Sequence, residues 1–167
     1  KGFVADALLG NWDVVGTSPE TGGFDNIMIG KDGKAYRIDN GGALAYKGAG
    51  GLKGSKFGDT VTEIERLRDP HVNPQAAAIY GSISNADIYK QVQQLQAKRI
   101  QLLDATPPDM REKVKNRLDW LVKNYGTPES SEPGYVSPGS IYVGKAAIWV
   151  GDPPDYKTIY GAPADDL

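Results

Sequence analysis

Two apolar-rich runs meet at Asp32-Gly33, and this junction constrains the fold more than any other feature of the chain. Asp-Gly between such runs is the strongest short-range hairpin signal, because the turns that match the twist of paired strands need positive φ. The stretch reads Asp25-Asn-Ile-Met-Ile-Gly-Lys-Asp-Gly-Lys-Ala-Tyr-Arg-Ile-Asp39. A two-residue turn at Asp32-Gly33 sets Lys31 opposite Lys34, Ile29 opposite Tyr36, Ile27 opposite Ile38, and Asn26 opposite Asp39. Ile27, Ile29, Tyr36 and Ile38 then form one apolar face, with Asn26 and Asp39 on the other. Opposed residues have Cβ atoms about 5 Å apart, so Asn26 and Asp39 become cross-strand partners close enough to share one cation. Asp13, upstream in Gly10-Asn-Trp-Asp-Val14, is a third polar residue of metal-ligand type.

Asn11-Trp12-Asp13, then Asn26 and Asp39 at the two ends of a hairpin, then Asn40-Gly-Gly-Ala-Leu44, together resemble the active-site segment of the protein-kinase-like fold. The likeness is closest to the atypical branch: HipA-like, phosphoinositide-kinase-like and spore-coat or secretory-pathway kinases, where Asn-x-Asp or Asn-Trp-Asp replaces His-Arg-Asp. It also resembles kinase-like modules carried by bacteriophage minor head or head-morphogenesis proteins. The resemblance implies Asp13 as the catalytic Asp that orients or deprotonates the acceptor hydroxyl. It implies Asn11 as a group that steadies the catalytic loop or contacts a phosphate. Asn26 and Asp39 become the ligands of Mg2+ and ATP. This sequence departs from the pattern in the Gly-rich interval Val14 to Phe24 and in Asn40-Gly41, which stands where Phe-Gly is usual. Few residues precede Asp13, so the resemblance places a large lobe here and leaves the small lobe, with its phosphate-binding Lys, to another polypeptide stretch.

Composition narrows the classes further. The 167 residues suffice for one domain, or a lobe plus a tail, with a true core. A net charge of −2 supplies no basic field for nucleic acid. The absence of Cys excludes disulfides, thiolate chemistry and Cys-ligated metal in this chain. No apolar run approaches a membrane span and no signal peptide is visible; the location stays open between the cytoplasm and a virion.

Phe3 to Leu9 has helical apolar spacing and leads into the Asp13 loop. Gly41 to Gly58 is too Gly-rich for regular structure, and its place matches an activation loop or a flexible connector. Thr60-Val-Thr-Glu63 fits a capping box before a helix through Leu67 that Asp69-Pro70 stops. His71, the sole His, follows there and reads as structural or solvated. Asn73-Pro74 opens a helix over 75–80, and Ser84 caps the longest one, whose stripe runs Ile88, Val92, Leu95, Ile100, Leu102 and Leu103. A further helix carries Met110, Val114, Leu118, Leu121 and Val122, and packs antiparallel to it. Gln91, Gln93, Gln94 and Gln96, and Arg111, Glu112, Lys113, Lys115 and Arg117, read as solvated faces.

The expected architecture is therefore α+β, mainly α: a kinase-like large lobe with a catalytic β-hairpin and a helical tail over residues 1–126. A linker over 127–139 and a short β segment with the C-terminal tail over 140–167 follow. Expected partners are the upstream small lobe or a head-protein polypeptide, with self-association or virion assembly, and neither membrane nor nucleic acid.

Overall fold

The computed structural model describes residues 2–16, 24–133 and 135. The described fold is mainly helical, with one two-stranded sheet. Helix α1 spans Phe3–Leu8, strands β1 and β2 span Ile27–Ile29 and Ala35–Arg37, and α2 and α3 span Glu63–Arg66 and Pro74–Tyr80. Helices α4, α5 and α6 span Asn85–Ala97, Arg99–Ala105 and Arg111–Tyr125.

Short α1 is the hub of the core. Phe3, Val4, Ala7 and Leu8 are all fully buried, more than one face of a surface helix would bury. They pack with Ile64 of α2, Ile88 and Val92 of α4, and Val114, Leu118 and Leu121 of α6. Each fully buried aliphatic or aromatic side chain contributes about 1.5–3 kcal/mol, which is what holds so short a helix in place. The Val4 N–H, an orphan of the first turn, donates to Gln91 Oε1 at 3.2 Å. Gln91, read from the sequence as part of a solvated face, is thus a cap delivered from a neighbouring helix.

Several signals in the sequence act as expected. Ser84 accepts from the Asp87 N–H and Asn73 from the Ala76 N–H, with Pro74 at the start of α3. Others do not. The expected long helix is divided at Lys98 (φ −102°, ψ 14°) into α4 and α5, and Ile100 ends up 77% exposed. The capping box at Thr60 does not form, because Glu63 turns inward to Arg117 and Trp12. Arg117 is no part of a solvated face. It is wholly buried and donates to Ala7 O, Leu8 O, Gly58 O, Thr60 O and Glu63 Oε2.

The described part of the stretch expected as a linker, residues 127–133 and 135, packs on the helices. Pro128–Ser131 forms a 3-10 turn against α4 and α6, Ser130 is fully buried, and Asn85 Nδ2 donates to Glu132 O and Tyr135 O. Tyr135 Oη closes the contact by donating to Asn124 O at 2.6 Å. The short β segment expected over 140–167 lies outside the described residues.

The hairpin is clasped to this core by Arg37, whose guanidinium donates to Asp6 of α1 and to the Tyr80 hydroxyl of α3. Tyr80 Oη in turn donates to Asp6 Oδ2 at 2.9 Å. Burial pushes the Asp6 carboxyl up to about 6, against the opposing pull of Arg37 and Tyr80. A carboxyl whose folded pKa is raised favours folding in its protonated form. Its contribution is fully present below the unfolded value near 4 and is lost as pH rises through about 6. Thermal melts of the wild type and Asp6→Asn from pH 4 to 8 should therefore diverge. The wild type is expected to gain on the order of 2–3 kcal/mol relative to the variant as pH falls through this window. Parallel curves would remove this role for Asp6.

Candidate functional site

The observed hairpin register is Ile27 with Arg37, Met28 with Tyr36 and Ile29 with Ala35. This corrects the two-residue turn by one position. Gly30 N donates to Lys34 O at 2.8 Å and Gly33 N to Gly30 O at 2.9 Å, so Lys31-Asp32-Gly33 is a three-residue loop with Gly33 at φ +74°. The Asp32 carboxylate accepts from Lys34 N and Tyr36 Oη, bonds that steady the wider turn. A one-residue slip exchanges the faces of one strand relative to the other. Tyr36 and Ile38 therefore share a face with Met28 and Asn26, and not with Ile27 and Ile29. Asn26 lies opposite Ile38, whose N–H donates to Asn26 O at 3.1 Å, and Asp39 sits one position farther along. The direct Asn26–Asp39 pairing expected from the sequence is absent.

Asn26 and Asp13 nevertheless meet across their long sequence interval. Asn26 N donates to Val15 O at 3.0 Å, and Asn26 Nδ2 donates to Asp13 O at 2.7 Å. Those bonds engage the backbone and the amide nitrogen of a residue that is 7% exposed. The amide oxygen is the atom a hard cation would take. Asp39 is exposed, with Oδ1 accepting from Gly41 N at 2.7 Å.

The loop carrying Asp13 leaves the end of α1 and is fixed from beneath. Asn11 N donates to Asp6 O at 2.9 Å, and Asn11 Oδ1 accepts from Asp13 N at 3.3 Å. Asn11 Nδ2 is buried with no hydrogen-bond partner among the described residues. Trp12 Nε1 donates to Glu63 Oε1 at 3.0 Å, and Trp12 O accepts from Asn73 Nδ2 at 3.1 Å. Asp13 itself is exposed and lines a cavity of about 180 Å³ with Val14, Val15, Val72, Asn73 and Gln75. Pockets that bury a whole ligand run to about 300–1,000 Å³, so this one suits a group of side-chain size.

Two charged groups under the loop escaped the sequence reading. Arg117 stacks on Phe57 at 4.5 Å, and Lys53 Nζ lies 4.9 Å from the Trp12 ring centre. Lys53 is 3% exposed and donates to Gly42 O at 2.6 Å and Leu44 O at 2.7 Å. Burial pushes its ammonium down to about 8, with Glu63 opposing and Arg117 adding to the shift. Nothing local distinguishes Lys53 from the solvated Lys47 and Lys56 of the same loop; only the tertiary position of Trp12 does.

His71 is exposed, and its N–H donates to Asp69 Oδ1 at 2.8 Å, which fits the structural reading. No three of the His, Cys, Asp and Glu side chains converge as a metal cluster among the described residues. The side-chain oxygens of Asp13, Asn26 and Asp39 are the hard donors near this end of the hairpin, and among the described contacts only the Asn26 amide nitrogen and the Asp13 backbone oxygen join two of these residues. No protein-family model matches the sequence, and neither a curated protein nor a solved structure matches the chain.

Proposed function

We propose that this chain is the large lobe of an atypical kinase-like phosphotransferase. The observation that carries the reading is the bond from Asn26 Nδ2 to Asp13 O, which joins the would-be catalytic loop to the would-be metal hairpin. Bound Mg-ATP would supply the phosphoryl group and neutralise its charge. Asn26 and Asp39 are the residues that would hold it. Asp13, exposed and lining the 180 Å³ cavity, would orient the acceptor hydroxyl and take its proton as the acceptor oxygen bonds to the γ-phosphorus and the bridge to ADP breaks.

ATP would lie between this lobe and a small lobe or partner polypeptide. Exposed Met28, Tyr36 and Ile38, which share one face of the hairpin, support such a cover, since an apolar surface left wet marks an interaction site. A non-catalytic scaffold role in a bacteriophage head would use the same exposed surface.

Asp39→Ala separates the two readings in the full polypeptide that carries this chain. Titration calorimetry is expected to show Mg-dependent ATP binding abolished, with the far-UV spectrum unchanged because the exposed Asp39 makes no core contact. Equal ATP affinity in Asp39→Ala would exclude the kinase reading of this hairpin and leave the scaffold.

A further inference from the structure

The Gly-rich segment after Asp39 is folded. Lys47 N donates to Gly51 O at 2.7 Å, Gly50 N to Lys47 O at 2.8 Å, and Lys53 N to Ala45 O at 2.8 Å, while Tyr46 and Leu52 form an antiparallel bridge. The result is a tab whose base is tied down from both sides. Leu44, in the left-handed region at φ +54°, donates its N–H to Leu9 O at 2.6 Å. Buried Lys53 spans the base from within through Gly42 O and Leu44 O. A non-Gly residue in that conformation persists only where its surroundings hold it, and here two bonds do.

The tab lies against Asp13. A Cβ at Gly48 would fall 2.6 Å from Asp13 Oδ2, and one at Gly42 would fall 3.0 Å from Asp13 Cβ and 3.1 Å from Asn11 Oδ1. Gly48 is not at positive φ, so backbone conformation does not require glycine there. What a Cβ there would displace is the Asp13 carboxylate, the end of an exposed side chain that would have to turn away. Gly51, in the same tab and likewise not at positive φ, would have only Lys47 Cδ within reach, at 3.9 Å.

Building on the phosphotransferase reading, we propose that Gly48, backed by Gly42 and the Lys53 clasp, is a positioning residue that sets the direction of the Asp13 carboxylate. The tab bounds the carboxylate on the loop side, and the missing Cβ at Gly48 leaves room for the direction it takes. A Cβ at Gly48 would turn the base away from the direction in which the acceptor meets it. Misplacing a reacting group by about 1 Å can lower turnover about a hundredfold.

The test compares Gly48→Ala, Gly51→Ala, Asp13→Ala and the Gly48→Ala/Asp13→Ala double variant in the full polypeptide that carries this chain. Gly48→Ala is expected to lower kcat at least about tenfold with KM for ATP and the melting temperature nearly unchanged, and Gly51→Ala to behave as wild type. The double variant is expected to be no slower than Asp13→Ala alone, because Gly48 acts only through that carboxylate. If Asp13→Ala abolishes turnover while Gly48→Ala matches Gly51→Ala, the positioning role is overturned and the phosphotransferase reading stands. If Asp13→Ala leaves turnover intact, both fall. An activity-free check is the carbon-13 resonance of the Asp13 carboxyl, expected to move in Gly48→Ala and not in Gly51→Ala; an unmoved resonance overturns the proposal.

Discussion

Arg117→Met is expected to destabilise the protein by about 3–5 kcal/mol, the largest effect of any single exchange considered for this fold. The pair it breaks, Arg117 Nη2 with Glu63 Oε2 at 2.8 Å, has side-chain exposures of 0% and 2%. Removing the guanidinium leaves the Glu63 carboxylate buried with Trp12 Nε1 as its remaining partner and strips a donor from Ala7 O, Leu8 O and Gly58 O. The loss is one of orphaned charge and orphaned carbonyls more than of attraction. Urea unfolding curves will measure it, and a fall in melting temperature of roughly 10 °C is expected at this size. Adding Glu63→Gln to Arg117→Met should recover part of the loss, since the unpaired charge is gone. A midpoint unchanged in Arg117→Met would mean the guanidinium does not serve as the internal cap of α1.

Asp13→Ala is expected to reduce phosphoryl transfer by about 10²–10⁴-fold, with ATP affinity within about twofold of wild type. The side chain is exposed and reaches no core group, so the fold should tolerate its loss. Orientation and deprotonation of the acceptor act in the transition state, and binding of the nucleotide does not draw on them. Steady-state kinetics of the full polypeptide with separate nucleotide-binding measurements resolve the two quantities. Near-normal turnover would make Asp13 a structural loop residue and remove the phosphotransferase reading, whatever Asp39→Ala showed.

Much of the architecture was legible because it depends on local chemistry. The Ser84 and Asn73 caps, the Pro74 start and the apolar spacing of α1, α4 and α6 all act within a turn or two of the residue that encodes them. The hairpin was legible too, but its register was not. Asp32-Gly33 supports a two-residue turn and a three-residue loop equally well, and the choice fell to Asp32 bonding Lys34 N and Tyr36 Oη. That single step moved Asp39 out of line with Asn26.

The sequence by itself determined that oxygen-bearing side chains, Asp13, Asn26 and Asp39, flank a hairpin. Only the tertiary structure decided which of them meet: Asn26 Nδ2 on Asp13 O, Gly48 against the Asp13 carboxylate, and Lys53 and Arg117 buried beneath. The physical reason is range. Helical periodicity, caps and turns are encoded within a few residues. The partners of a buried charge come from elements far apart in the chain, such as Arg117 and Ala7, and no local pattern distinguishes an arginine that faces water from one that faces the carbonyls of another helix.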